Sequence, residues 1–386
     1  MRINEFITVE YVGSGELVDD EPEVPENEEP SGNPNPTEPP VDETEHGAVE
    51  FSVFNSRTKF EFKVTMQEEM LDDIYNCHAT TWRTESPFET TFTFLPLISD
   101  GGEAAGEPSA DTRGWTNGID NRVQIANPNI WPTRTIAQFR WANSTTHNSN
   151  CSGTLIGPRH IITAAHCINS QGTNNWLTQR ITPAKNGFGT ALAQEPYGNS
   201  VVSLNPAPGT EVWYFTPWQW RIPSTGDGSE WQWDWGLLVI PDRLGDEASW
   251  MGYFAATSTY LNSVSKWNRG YAQCNTARGN SPVPCNNGRM YADLSPCNIG
   301  SFSNAGADGW NRRVSIGCDL SGGHSGSPIY FWHKKPNNTF VPVVSLIVNT
   351  EACSLNCAAN NNFPNGAVRL TPANMGTISW LRETFP

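Results

Sequence analysis

One stretch of sequence decides the fold: Cys151-Ser-Gly-Thr-Leu-Ile-Gly-Pro-Arg-His-Ile-Ile-Thr-Ala-Ala-His-Cys167. Two apolar runs flank a turn at Gly157-Pro158, and this pattern is typical of a β-hairpin. A cysteine stands on each side of the hairpin. We therefore expect a disulfide between Cys151 and Cys167 that closes it.

The same stretch contains the candidate general base. His166 lies beside the second cysteine, so the hairpin and its disulfide would hold the imidazole in one place. The alternative is a surface histidine next to a structural disulfide, and the small Ala164-Ala165 pair argues against it. The other histidine of the stretch, His160, follows the turn, and we expect it to be exposed.

A glycine-rich turn contains the candidate nucleophile, Ser325, in Ser321-Gly-Gly-His-Ser-Gly-Ser-Pro328. Glycines near the serine let the backbone turn tightly and present the hydroxyl. The amides of Gly323 and Ser325 could form one oxyanion hole, a geometry that often requires positive φ. A plain Gly/Ser turn is the alternative, but the following apolar run Ile329-Tyr-Phe331 makes the motif more specific.

An acidic residue precedes the apolar strand pattern in Trp233-Asp-Trp-Gly-Leu-Leu-Val-Ile240. A carboxylate in this position would be largely buried, where it is costly unless paired. Pairing with the Nδ1 atom of a histidine would offset that cost. Asp234 is thus the candidate partner of His166, and an acid in a turn at the start of a strand is the alternative.

The chain from about residue 119 shows short strand patterns broken by Gly, Pro and Asn turns, which indicate an all-β barrel or sandwich. The last segment differs, because Thr371 can cap a helix that starts at Pro372.

The His, Asp and Ser segments occur in that order and resemble the chymotrypsin-like (trypsin-like) serine peptidases. Within these the chain is most similar to the glutamyl-endopeptidase (V8-like) branch, through segments such as Thr182-Pro-Ala-Lys-Asn-Gly187 and Asn365-Gly-Ala-Val368. The resemblance covers about residues 119–386. It implies two antiparallel six-stranded β-barrels (the chymotrypsin fold) with a C-terminal helix and a site in the cleft between the barrels.

The resemblance also implies a serine endopeptidase whose triad is His166, Asp234 and Ser325, with no cofactor and no metal. One alternative is a catalytically silent homologue that acts as a binding module through its Trp-rich loops. Another is a structural or carbohydrate-binding protein. Loss of a triad residue would favour a silent homologue, and none is lost.

The substrate pocket departs from the V8-like branch. Polar residues that read glutamate in that branch are replaced by Leu320 and by Ile347 or Val348, with Asn349 next to them. Asp319 stands six residues before Ser325, where trypsin-like enzymes place the acid that reads Arg or Lys. His324 replaces the Asp that pairs with the new N-terminal amine in trypsin-type enzymes. We expect that cleavage after Glu is not the dominant activity.

The N-terminal part differs in charge from the rest. Residues 1–118 contain 26 Asp and Glu against 6 Lys and Arg, whereas residues 119–386 contain 14 against 18. The composition predicts an acidic Pro/Glu-rich disordered segment over 1–48 and a processing linker over 101–118. Strand patterns near 59–64 and 91–95 and a helix pattern over 66–77 predict a small α+β prodomain over 49–100. The protease catalytic domain would occupy 119–386.

Eight of the nine cysteines lie after residue 150, which favours disulfides and secretion. The first residues lack the apolar core of a signal peptide, so either the natural start lies elsewhere or export uses another route, and the cysteines favour the first. No basic stripe for nucleic acid and no membrane-spanning run is present in the sequence. The expected partner is a protein or peptide substrate of a monomeric enzyme.

Overall fold

The computed structural model describes residues 7–18, 48–67, 70, 121–144, 148–224, 229–273, 286–293, 295–305, 310–335, 338–350 and 362–386. The predicted linker over 101–118, the predicted strand near 91–95 and most of the predicted helix over 66–77 lie outside these residues. The same is true of Cys77, Cys274, Cys285, Cys353 and Cys357.

The first large sheet has ten strands in the order β1-β4-β3-β12-β13-β8-β7-β6-β10-β11, and all their pairings are antiparallel. Its strands are β1 (Ile7–Ser14), β3 (Val49–Asn55), β4 (Phe60–Met66), β6 (Ile136–Trp141), β7 (Cys151–Leu155), β8 (His160–Thr163), β10 (Gln179–Pro183), β11 (Ser200–Val201), β12 (Trp213–Pro217) and β13 (Gly236–Val239). A separate parallel pair joins β2 (Glu16–Val18) to β9 (Asn175–Leu177).

The second large sheet has nine strands. Eight follow the order β17-β18-β21-β20-β19-β15-β16-β5, and β14 pairs with β20 in parallel. Its strands are β5 (Arg122–Gln124), β14 (Gly252–Tyr253), β15 (Trp267–Tyr271), β16 (Met290–Asp293), β17 (Ile299–Ala305), β18 (Asn311–Ile316), β19 (Pro328–Lys334), β20 (Phe340–Thr350) and β21 (Asn365–Arg369).

Helices are few and short among the described residues: α1 (Trp218–Arg221), α2 (Leu244–Ala248), α3 (Ser258–Ser263) and α4 (Pro372–Thr384). The predicted C-terminal helix is confirmed as α4. The Thr371 side chain accepts from the Asn374 amide, and the Asn374 side chain accepts from the Thr371 amide, which forms a capping box. Ile378 and Leu381 of α4 are buried in the core of the first sheet.

The all-β architecture with a C-terminal helix is therefore confirmed. The buried apolar side chains form two large clusters, one mainly under each sheet, and a smaller third cluster to which both sheets contribute. Phe139, Ile162 and Leu237 belong to the first core, and Val314 and Ile329 belong to the second. The sheets have ten and nine strands rather than six each. The N-terminal strands β1, β3 and β4 extend the first sheet, and the short strands β5 and β14 join the second.

The N-terminal segment differs from its prediction in two places. Residues 7–14 and 16–18 form strands, although 1–48 was predicted to be disordered. Residues 49–66 form a β-hairpin that pairs with β12 in the first sheet, instead of part of a separate prodomain. The alternating pattern identified a strand, but it could not identify the strand's partner more than a hundred residues away.

Among the helices of the described residues, none combines the length and the apolar character that crossing a membrane would require.

The capping box gives a stability prediction. Thr371→Ala removes the hydroxyl that accepts from the Asn374 amide, and we expect it to lower the free energy of unfolding by about 1 kcal/mol. Thr371→Ser keeps the hydroxyl and is the matched control, with a smaller expected loss. Urea unfolding followed by fluorescence measures both variants. Equal losses in the two variants would show that the cap does not stabilise the helix.

Candidate active site

His166 and Asp234 form a buried hydrogen-bonded pair. The Oδ2 atom of Asp234 lies 2.7 Å from Nδ1 of His166, and Oδ1 accepts from the His166 backbone amide at 2.8 Å. Asp234 is fully buried, whereas the His166 side chain is 24% exposed. In the neutral tautomer that donates from Nδ1 to the carboxylate, the other ring nitrogen, Nε2, is an acceptor.

Two neighbouring strands bring this pair together. His166 follows β8, and Asp234 immediately precedes β13, which pairs with β8 through Gly236 opposite Thr163. A Cβ atom at Gly236 would lie 2.6 Å from Cδ1 of Ile168 and 3.1 Å from the Phe215 carbonyl oxygen, so a larger residue would require these neighbours to shift. The Cys151–Cys167 disulfide closes the hairpin at the same end.

The Ser325 turn depends on glycines in the left-handed region. Gly323 and Gly326 have φ of +89° and +81°. A Cβ atom at Gly326 would lie 2.2 Å from the Ser152 carbonyl oxygen, and one at Gly323 would lie 2.4 Å from the Tyr271 carbonyl oxygen. Only glycine fits both positions, and the result is a tight turn with Ser325 at its tip.

Ser152, which no sequence motif identified, connects this turn to the hairpin that precedes His166. The Ser152 amide donates to the Ser325 carbonyl at 2.7 Å, and the Ser152 hydroxyl donates to the Gly323 carbonyl at 2.8 Å. The same hydroxyl accepts from the Tyr271 amide at 2.9 Å. The position of Ser152, directly after Cys151, was the only signal in the sequence.

The amides of residues 323–327 fall into two groups. Those of His324, Gly326 and Ser327 donate to backbone carbonyls. Those of Gly323 and Ser325 donate to no acceptor among the described residues. They are the two amides that the sequence assigned to an oxyanion hole, and this arrangement is compatible with that role.

His324 is buried and uncharged. Burial lowers its pKa well below the usual value, and the nearby Arg122 guanidinium lowers it further. Its Nδ1 lies 3.2 Å from the Ser321 carbonyl oxygen. A neutral imidazole cannot form the charge pair with an N-terminal amine that an aspartate forms at this place in trypsin-type enzymes.

The predicted pocket residues are all buried. Asp319 accepts from the Asn121 amide at 2.9 Å, and its own amide donates to Asp293 at 2.9 Å. The second disulfide, Cys297–Cys318, ends next to it. The apolar members belong to the hydrophobic cores: Leu320, Ile347 and Val348. The assignment of these residues to a substrate pocket stays a prediction.

Asn349 does lie near the site, because its side-chain amide donates to the Trp231 carbonyl at 2.9 Å. The ring of Trp231 approaches His166 edge-on, with 6.3 Å between centroids. Two other tryptophans of this region, Trp220 and Trp235, are buried, whereas Trp213, Trp218 and Trp233 are partly exposed.

His160 is buried, although its position after the turn had predicted exposure. It lies in β8 and packs near the C-terminal helix, where Arg382 approaches it. Burial lowers its pKa to about 3, and the Arg382 charge acts in the same direction. His160 is therefore neutral in the folded protein across most of the pH range and does not compete with His166 for the role of base.

Two groups of the described residues bring three potential metal ligands together: Cys151, His166 and Cys167, and Asp293, Cys297 and Cys318. In both groups the cysteines are joined in disulfides, so neither group offers thiolate ligands.

Comparison with known proteins finds several peptidases, among them one described as an extracellular metalloprotease of Bacillus subtilis, 23% identical over 58% of this chain and 60% of that protein. The family model described as Trypsin matches residues 132–194. The chain is 26% identical over 234 residues to a glutamyl endopeptidase of Bacillus licheniformis, and the match covers 60% of each protein. It is 37% identical over 96 residues to chymotrypsin-C of Bos taurus, which covers 25% of this chain and 31% of that protein.

The structure is also similar to a solved Glu endopeptidase, with a TM-score of 0.43 and 17% identity over 69% of this chain and 98% of that one. The matched part of the chain spans about 60% of the length of the Bacillus licheniformis relative. Residues 132–194 thus match a trypsin-family domain. Over a longer part of its sequence the chain is similar to a glutamyl endopeptidase.

The buried histidine gives a pH prediction. The pKa of His160 is about 3 in the folded state and near 6.5 in the unfolded state. Between these values only the unfolded state takes up the proton, so stability falls as the pH falls, by up to about 1.4 kcal/mol per pH unit.

We expect His160→Phe to flatten this dependence between pH 6.5 and pH 4 in urea unfolding experiments. Some dependence of the same sign should remain, since the pKa of buried His324 is lowered too. Parallel pH profiles for the variant and the wild type would contradict the assignment.

Proposed function

We propose that this protein is a secreted serine endopeptidase that hydrolyses peptide bonds through an acyl-enzyme intermediate. The observation that carries the proposal is the 2.7 Å contact between the buried Asp234 carboxylate and Nδ1 of His166. This contact fixes the tautomer that a general base needs, with Nε2 free to accept a proton.

In the proposed reaction, Nε2 of His166 takes the proton of the Ser325 hydroxyl as the oxygen attacks the substrate carbonyl. The developing oxyanion accepts hydrogen bonds from the Gly323 and Ser325 amides. His166 then gives its proton to the leaving amine, and the peptide bond breaks. Water attacks the acyl-enzyme by the same route in reverse, which releases the acid product and restores Ser325.

Secretion is supported by the two disulfides of the described residues, Cys151–Cys167 and Cys297–Cys318. Disulfides persist in oxidising compartments and are rare in the cytosol. We further propose that the chain is a precursor, cut in the acidic linker over 101–118, where Arg113 offers a basic cleavage site, and that it acts as a monomer on protein or peptide substrates.

The substrate preference is proposed on the burial of Asp319. Its carboxylate already accepts from the Asn121 amide, so it serves the packing of the chain before β5. A buried acid repels a glutamate side chain. Leu320 and Ile347 add apolar surroundings. We therefore propose that cleavage after Glu is a minor activity, which a peptide-library digest would measure.

The alternative of a silent binding module would require a disabled site. The described geometry retains the hydrogen-bonded pair of His166 and Asp234 and the Ser325 turn, so it gives no sign of a disabled site. The enzyme is therefore the better-supported proposal.

Removal of the nucleophile tests the enzyme directly. We expect Ser325→Ala to abolish peptide hydrolysis and covalent labelling by a fluorophosphonate while leaving the unfolding midpoint unchanged, because the turn depends on its glycines. Ser327→Ala, two residues along the same turn, is the matched control and should still be labelled. Labelling of Ser325→Ala, or activity above about 1% of wild type, would contradict the assignment.

The tautomer argument gives a second test. Asp234→Asn replaces the acceptor at Nδ1 with an amide, which favours the wrong tautomer of His166. We expect kcat to fall about 10⁴-fold, as it does for the same change in a trypsin-type Ser-His-Asp triad. Steady-state kinetics on a peptide substrate measure the fall. A loss of less than about tenfold would show that Asp234 does not orient the histidine.

A further inference from the structure

The β3–β4 hairpin of the N-terminal segment is built into the first sheet rather than docked on its surface. β3 pairs with β12 through five residues, from Asn55 opposite Trp213 to Phe51 opposite Pro217. Backbone hydrogen bonds continue beyond the ladder, where the Ser56 amide donates to the Val212 carbonyl at 3.0 Å. The hairpin thus supplies an interior strand of the sheet that contains the His166 hairpin.

Side chains of the hairpin complete the hydrophobic core. Phe54 stacks on Trp176, with ring centroids 5.0 Å apart and planes 2° from parallel, and both side chains are fully buried. Tyr214 contacts the same two rings. Without the hairpin, Trp176 and Tyr214 would lose this cover, so the rest of the first sheet would expose large aromatic surface to water.

A buried ion pair connects the hairpin to helix α1. Both oxygens of the Glu61 carboxylate accept from the Arg221 guanidinium, at 2.7 and 2.8 Å. The Ser52 hydroxyl donates to Glu61 at 2.6 Å. The two charged side chains are only 4% and 8% exposed, so removal of either partner leaves a buried charge unpaired.

Helix α1 is connected to the candidate active site through one intervening side chain, that of Trp231. Trp220 of α1 packs against Trp231, with 5.9 Å between ring centroids, and Trp231 packs against His166 at 6.3 Å. Arg221, next to Trp220, is the residue that Glu61 holds. A series of contacts therefore runs from the N-terminal hairpin to the imidazole, with one step along the backbone of α1 between Arg221 and Trp220.

From these contacts we infer that the N-terminal hairpin is a permanent part of the catalytic domain and that Glu61 is a positioning residue for the tryptophan segment beside His166. The inference deepens the proposed protease function. After cleavage in the 101–118 linker, the N-terminal fragment stays bound without a covalent link, and the mature enzyme has two chains.

The first experiment tests retention and needs no activity. A recognition site for a sequence-specific protease is inserted between Glu107 and Pro108 in a Cys77→Ser variant, which removes any disulfide from the N-terminal fragment. After cleavage, size-exclusion chromatography is run at low salt and in about 1 M NaCl, which screens electrostatic attraction between the acidic fragment and the rest. We expect co-elution at both salt concentrations and separation only in denaturant.

Dissociation of a soluble, folded 108–386 chain in either buffer would overturn the retention inference. That outcome would leave the proposed protease function intact if the separated chain remained active. Conversely, co-elution of two inactive chains would support retention while contradicting the protease function, so the two failures are distinguishable.

The second experiment tests positioning with Glu61→Gln. The matched control is Glu50→Gln, which removes an ion pair to Lys63 on the surface of the same hairpin. We expect Glu61→Gln to lower kcat about tenfold with little change in KM, and to alter the tryptophan bands in near-UV circular dichroism. Glu50→Gln should change neither. Glu61→Asp keeps the charge and should recover part of kcat.

If Glu61→Gln does not fold, Ser52→Ala is the second variant to test. It removes one hydrogen bond to Glu61 and keeps the ion pair with Arg221. It should show the same direction of change with a smaller amplitude. A folded Glu61→Gln or Ser52→Ala variant with wild-type kcat and an unchanged tryptophan spectrum would overturn the positioning role.

Discussion

The site depends on the hydrogen bonds that Ser152 makes across the boundary between the two large sheets. Its amide and hydroxyl hold the Ser325 and Gly323 carbonyls, while Ser152 itself belongs to the strand that leads to the His166 hairpin. Ser325 precedes a strand of the second sheet and His166 follows a strand of the first, so either sheet alone would leave their separation undefined. Because these donors are buried and paired, any relative shift of the sheets would leave polar groups unsatisfied, which is costly.

A second constraint is the charge of Asp234, which the fold places where water cannot reach it. Burial of a carboxylate is tolerated only where donors surround it, and the His166 amide and imidazole provide two. At Gly236, between Asp234 and the rest of β13, a larger residue would require Ile168 to shift. The segment next to Asp234 is therefore closely packed.

Local motifs were predictable and distant pairings were not. The 151–167 hairpin, its disulfide and the α4 cap follow from neighbouring residues, and the structure contains all three. Residues 49–66 show the limit of a local pattern. Their alternation indicated a strand, but the pairing of that strand with β12 depends on residues far along the chain. His160 was expected to be exposed because it follows a turn. It is buried because it packs near α4, a helix that lies over two hundred residues later in the chain. The pocket residues were predicted from a family resemblance, which does not show whether a side chain is buried.

The pairing of Asn55 with Trp213 has a consequence for how the protein is made. The two partners are 158 positions apart, so the ladder forms only after β12 has left the ribosome. Until then the β3 edge and the Phe54 side chain have no permanent cover, and an uncovered apolar strand is a template for association with other chains. High contact order also slows folding. Biogenesis would therefore favour conditions that shield the nascent N-terminal hairpin, such as a holdase chaperone that binds extended apolar segments.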